Sequence, residues 1–200
     1  MSNFLAIDTS SKYLTVIAKK GDVVVKKFLP DCALNHSVML MGYVDEALNG
    51  AELKPSECDF FASVTGPGSF TGIRIGVSAA KGFALATGKK LLGVTAFDLI
   101  AYNVVCDGKF LVAIDAAHGH YYVSGYCGKD VFLPPCYLAE SQVKEYFLPV
   151  FGFEDLPFDN YKKLDIQDCL YPAVALSESK VSDKISALYV RKSQAEEGRK

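Results

Sequence analysis

The segment Thr65-Gly66-Pro67-Gly68-Ser69-Phe70-Thr71-Gly72-Ile73-Arg74-Ile75-Gly76 constrains this chain more than any other. It follows a short apolar run, Phe60 to Val64, and opens a stretch of helical periodicity from about 70 to 87, closed by Gly88. Strand, glycine-rich turn and helix together make the recipe for an anion site. Glycines let the backbone approach, and a helix N-terminus offers free N–H donors. Yet the segment fails both nucleotide fingerprints. A Walker loop ends in Gly-Lys-Ser/Thr, whereas Gly72 precedes Ile73-Arg74, and a dinucleotide fingerprint wants glycine where Thr71 stands. Gly72, Gly76, Ala80 and Ala84 fall four residues apart, a ridge of tiny side chains along one helix face. A helical glycine costs about 1 kcal/mol relative to alanine, so repeating it needs a return elsewhere. Close backbone approach is the usual return. The approaching element belongs to the same domain or to a protein partner, and the pattern favours a packing or docking face over a ligand site.

The rest of the chain supplies the frame. Residues 3–8 read as a buried strand that ends in the turn formers Asp8-Thr9-Ser10-Ser11. Two β-rich runs follow, Tyr13 to Ala18 and Val23 to Leu29, joined by hairpin chemistry at Lys20-Gly21-Asp22. A helix is predicted over 35–49 from the spacing of Val38, Met41, Tyr43, Val44, Ala47 and Leu48, with Asn49-Gly50 as its stop. A strand at 91–94 and a helix over 96–105 complete this part. Antiparallel strands first and helix-connected parallel strands later predict an α/β domain with a mixed five-stranded sheet, of ribonuclease-H-like or actin-like (ASKHA) type. A second part starts near Asp107-Gly108, with strands at Phe110 to Ile114 and Tyr121 to Tyr126. Its later signals are weaker: helical turns at 141–147, a broken stretch over 149–158, and an extended Leu188-Tyr189-Val190. The expected division is 1–104 for the first lobe and 105–200 for a smaller second lobe with a tail. Strand-turn-strand recurs at Phe4 and Phe110, a faint echo of a duplicated fold.

Several function classes fall away on composition and spacing. Half of the residues are hydrophobic and the net charge is -2, which gives no electrostatic reason for autonomous nucleic-acid binding. The tail carries Arg191-Lys192 and Arg199-Lys200, but Glu196 and Glu197 interrupt it. Six scattered cysteines without a C-x-x-C pair fit a reduced, cytoplasmic protein better than a disulfide or zinc framework. The N-terminus opens on a strand pattern rather than a leader, and no apolar run reaches membrane-spanning length. His118 and His120, with Asp115 nearby, share a strand face if extended, but the segment reads as a hairpin turn without a fourth ligand, so no metal is expected. Ser69 after a strand invites comparison with a nucleophile elbow, with His36 as a base, but the order is not Gly-x-Ser-x-Gly. A hydrolase, or a nucleotide or small-molecule binder using the Gly66 loop, is the rival class. A sugar kinase would need a second glycine run, absent at Asp115-Ala116-Ala117.

The long Gly66–Gly76 segment resembles the hallmark of the TsaB (YeaZ) family. Leu5-Ala6-Ile7-Asp8-Thr9-Ser10 is similar to its first strand and turn, His36-Ser37 to its first helix start, and Ala113-Ile114-Asp115-Ala116 to its second-lobe strand. Tyr189-Val190-Arg191-Lys192-Ser193-Gln194-Ala195-Glu196 is similar to its C-terminal signature. The resemblance implies a two-lobed actin-like fold that has lost catalysis and needs no cofactor of its own, ATP being used by partner subunits. It implies a partner role in forming threonylcarbamoyladenosine at adenosine 37 of tRNAs reading codons that begin with A. The chain would bind and activate a TsaD-type transferase, join a TsaE-type ATPase, form a homodimer when alone, and meet tRNA through the complex. The docking residues so implied are His36, Phe70, Thr71, Gly72, Arg74, Ile75, Gly76 and Ala80. On that reading Gly76→Leu breaks the complex and leaves the fold intact. Asp8, Thr9 and Ser10 stand where actin-like enzymes face phosphate, so a residual nucleotide contact competes there with a plain turn. The family commonly has Asp-Ala-Arg-x-Gly-Glu where this chain has Asp115-Ala116-Ala117-His118-Gly119-His120, so roles of that Arg and Glu do not carry over.

Overall fold

A computed structural model describes residues 2–190; the signature residues 191–196 lie outside that range. Strands β1 (Phe4–Asp8), β2 (Leu14–Lys20), β3 (Val23–Leu29), β4 (Phe60–Val64) and β5 (Lys90–Val94) form one sheet in the order β3-β2-β1-β4-β5. β1 pairs antiparallel with β2 and parallel with β4, so the sheet is mixed as expected. Helices α1 (His36–Gly50) and α2 (Phe70–Thr87) cover one face. α2 begins where Ser69 caps it by accepting from Gly72 N at 3.2 Å, and ends at Gly88, whose φ of 69° is the left-handed stop that glycine supplies without strain.

The second sheet repeats the plan. β6 (Lys109–Asp115), β7 (His120–Cys127), β8 (Asp130–Ala139), β9 (Val150–Gly152) and β10 (Tyr161–Lys163) stand in the order β10-β9-β6-β7-β8. Antiparallel partners lie on one side of β6 and parallel ones on the other, as around β1. The echo seen at Phe4 and Phe110 is therefore a duplicated topology, and the two-lobed actin-like expectation holds. Reduction of the second lobe has a local cause. The helix between β8 and β9, α4 (Glu140–Lys144), has 5 residues where α1 has 15. Residues 153–160, with Pro157 among them, are too few to carry a counterpart of the 18-residue α2.

The sheets share a core. α3 (Ala96–Ala101) and α5 (Leu170–Leu176) pack between them, with Phe4, Phe60, Phe97, Phe110, Val112, Tyr126 and Leu170 in one buried cluster. The opposite side of β1, with Leu5 and Ile7, joins α1 and α2 through Leu40, Val44, Ile73 and Val77. Period-two alternation thus feeds two cores from one strand. Several elements differ from expectation, among them β9, in a stretch read as broken, and β10, where no element was read. α3 stops at Ala101 rather than near 105; β8 runs through Pro134 and Pro135, which a sheet tolerates at an edge; and α5 gave no strong periodic signal. Past α5 the chain returns to the first lobe, where Ser182 bridges Leu91 and Leu188 N donates to Thr65 O at 2.7 Å. Leu188-Tyr189-Val190, read as extended, forms no strand. Among the described residues no helix is long and apolar enough to cross a membrane.

Candidate docking face and the sealed glycine loop

The glycine loop is closed by the turn after β1. Ser69 N donates to Ser10 O at 2.6 Å, and Thr9 Oγ1 donates to Gly72 O at 2.7 Å. A Cβ on Gly68 would lie 2.1 Å from Ser10 O, and one on Gly72 would lie 1.9 Å from Thr9 O. These are the close approaches that the glycines permit. The peptide between Gly66 and Pro67 is cis. The turn after β1 thus packs directly on the glycine loop, while Gly68, Ser69, Phe70 and Thr71 stay exposed. Asp8, Thr9 and Ser10 are each only 1% exposed. Asp8 Oδ1 accepts from Ser10 N at 2.8 Å and Ser10 Oγ at 2.7 Å, and burial raises its pKa against those two bonds. Asp8, Thr9 and Ser10 thus form a buried, internally hydrogen-bonded turn, the plainer of the two readings considered for them.

The small-residue ridge needs a correction. Gly72, Gly76, Ala80 and Ala84 are buried against the first lobe's own sheet. A Cβ on Gly76 would lie 2.6 Å from Thr9 Oγ1 and 3.0 Å from Ser63 Oγ. The return on these glycines is helix-on-sheet packing inside the chain, so they are not partner contacts, and Gly76→Leu would break the fold first. His36 is likewise internal: it is buried, and its Nε2 lies 2.9 Å from Tyr13 O. Helical periodicity found the ridge, but one sequence does not tell which neighbour a ridge serves.

The other face of the same helices is open. Phe70, Thr71 and Arg74 are exposed and Ile75 is half-buried. On α1 and just before it, Leu34 is 95% exposed, Val38 75% and Met41 53%, while Leu85 on α2 is 88% exposed. Two glycines sit mid-helix here, Gly42 and Gly82, and a Cβ on either would meet nothing within 4 Å. Nothing among the described residues accounts for them. Sequence reasoning missed both, although Gly42 and Gly82 stood in predicted helices where alanine is better by about 1 kcal/mol.

Remaining candidates stay apart. His118 is in the β6–β7 turn, where Ala117, His118 and Gly119 all have positive φ, and the His120 ring stacks on Tyr137 with 4.8 Å between centroids. Among the described residues no three His, Cys, Asp or Glu side chains group to hold a metal ion. Between the lobes a cleft of about 380 Å³ is lined by residues that include Lys12, Tyr13, Asp115 and Glu154. There Glu154 Oε2 accepts from Asp115 N at 2.7 Å, and burial raises the Glu154 pKa.

Two sheets of one topology around a shared core define a two-lobed actin-like protein. The family model described as "TsaD: tRNA N6-adenosine threonylcarbamoyltransferase" matches residues 28–132, just over half of the chain. The chain belongs to the family that this model describes and, within it, to the TsaB (YeaZ) members. The Bacillus subtilis "tRNA threonylcarbamoyladenosine biosynthesis protein TsaB" is 33% identical over 130 residues, covering 64% of this chain and 57% of that protein. The Buchnera aphidicola protein of the same description is 25% identical over 184 residues, covering 84% and 87%. The matched stretch thus spans less than two thirds of the first relative's length. A solved Pseudomonas aeruginosa structure, described as similar to peptidase YEAZ, superposes with a TM-score of 0.77 at 22% identity, covering 96% of this chain and all of that one. That likeness establishes the fold.

Proposed function

We propose that this chain is the non-catalytic partner subunit in formation of threonylcarbamoyladenosine on tRNA, and that it docks a TsaD-type transferase on the outer face of α1 and α2. One observation carries the docking surface. Val38, Met41 and Leu85 are exposed beside two mid-helix glycines with empty space over them, a face that loses stability in isolation and gains it when covered. The failure of the Gly66 segment to match either nucleotide fingerprint supports a binding role over catalysis. The transferase acts on adenosine 37, ATP is used by partner subunits including a TsaE-type ATPase, and this chain holds no cofactor of its own. The same face serves a homodimer when the transferase is absent. Assembly takes place in the cytoplasm, and tRNA meets this chain through the complex.

Size-exclusion chromatography with light scattering, on this chain alone and mixed with the transferase of the same organism, tests the proposal. A stable mixed complex, with tRNA modification that depends on adding this chain, is the expected result. No complex, or modification that proceeds at full rate without this chain, would overturn it.

A further inference from the structure

Arg74 sits on the outer face of α2, fixed on two sides. Its guanidinium carbon lies 3.8 Å from the Phe70 ring centroid, a cation–π contact. Its Nε donates to Tyr189 Oη at 3.2 Å, and the Tyr189 and Phe70 rings lie 4.9 Å apart. Tyr189 is itself held, because Leu188 N donates to Thr65 O across the glycine loop. A side chain that would otherwise be free to wander is thereby held in one place. A guanidinium has five N–H donors; with Nε engaged, the four on its two terminal nitrogens have no hydrogen-bond partner among the described residues. Among the described residues no carboxylate pairs with it, whereas seven lysines in the same range do have acidic partners.

We propose that Arg74 is a pre-organised receptor for a carboxylate on the transferase, gripped by the terminal fork of the guanidinium. The inference rests on the docking proposal above and adds the chemistry of one contact. A planar fork held by stacking matches a carboxylate in two parallel hydrogen bonds, and little side-chain freedom remains to be lost on binding. Lysine cannot reproduce it: an ammonium is a point charge and stacks poorly on Phe70. The Phe70–Arg74–Tyr189 stack thus ties the chain's last described residues to the docking face.

The test is calorimetric binding of the full chain to the purified transferase, first without and then with tRNA, at two salt concentrations. R74Q is expected to weaken binding by about thirtyfold, R74K nearly as much, and Y189F by about threefold. The salt dependence should flatten in R74Q, and thermal midpoints should match the wild type throughout. R74K binding as tightly as the wild type would reduce the residue to a loose charge and overturn the inference. So would R74Q within twofold of wild type, or a loss that appears only when tRNA is added, which would assign the fork to phosphate. If the wild-type chain itself fails to bind, the docking proposal falls and the carboxylate with it; binding that is indifferent to Arg74 removes the carboxylate alone.

Discussion

The two faces of α2 carry the same kind of residue for opposite ends. Inward, Gly72 and Gly76 let the helix press on the turn after β1 so closely that a single Cβ would collide with backbone or a held hydroxyl. Outward, Gly82, with Gly42 on neighbouring α1, faces empty space beside Val38 and Leu85. The inner glycines are accounted for within the chain. The outer ones cost helix stability with no compensation among the described residues, which fits a surface shaped for a neighbour. A small residue is thus informative only together with what stands over it.

The largest effect should come from breaking the inner face. Gly72→Ala places a methyl 1.9 Å from Thr9 O, and denaturant unfolding should show a loss of about 3 kcal/mol or failure to fold. A Gly72→Ala protein of wild-type stability would erase the contrast. Next comes the outer face. Exchanging Val38 or Leu85 for Asp should leave the unfolding midpoint within about 0.5 kcal/mol of wild type. Titration with the transferase should then show at least about 2 kcal/mol of lost affinity. Unchanged affinity would mean that this face is not where the partner sits.

Gly82→Ala sharpens the comparison from the other side. With open space over it, the substitution should stabilise the isolated chain by about 0.5–1 kcal/mol, read as a higher melting temperature. The same change at Gly72 has the opposite sign. The smallest effect lies away from both faces, in the inter-lobe cleft. Burial raises the Glu154 pKa, so the folded chain holds that proton more tightly than the unfolded chain does. Stability from this group is full below the ordinary glutamate range and falls as pH rises through the unfolded and then the raised folded pKa. Glu154→Gln keeps an acceptor for Asp115 N and should flatten that part of the pH–stability curve, whereas an unchanged slope would refute the assignment.

The second lobe shows where legibility ended. In the first lobe β3, β4 and α2 follow the expected ranges because alternation, a helical stripe and Gly88 each speak locally. β8 was missed because Pro134 and Pro135 argue against a strand unless it lies at an edge, and edge position is a property of the sheet. α5 was missed because it is only seven residues long, holds Pro172, and is apolar on its exposed side as well, where Leu176 is 43% exposed, so no polar stripe marks it. The candidate site divided the same way: Phe70, Thr71 and Arg74 lie on the open face, and His36, Gly72, Gly76 and Ala80 do not.

Local pattern by itself determined the mixed sheet, the strand–glycine loop–helix order and the existence of a ridge of small residues, since period and turn chemistry are written over a few neighbouring positions. Only the tertiary structure decided which way that ridge faces, that Thr9 and Ser10 pack against the glycine loop, and that Tyr189 steadies Arg74 from 115 residues away. The physical reason is that burial and close approach belong to pairs of segments distant in the chain, and no local period encodes which distant segment will arrive.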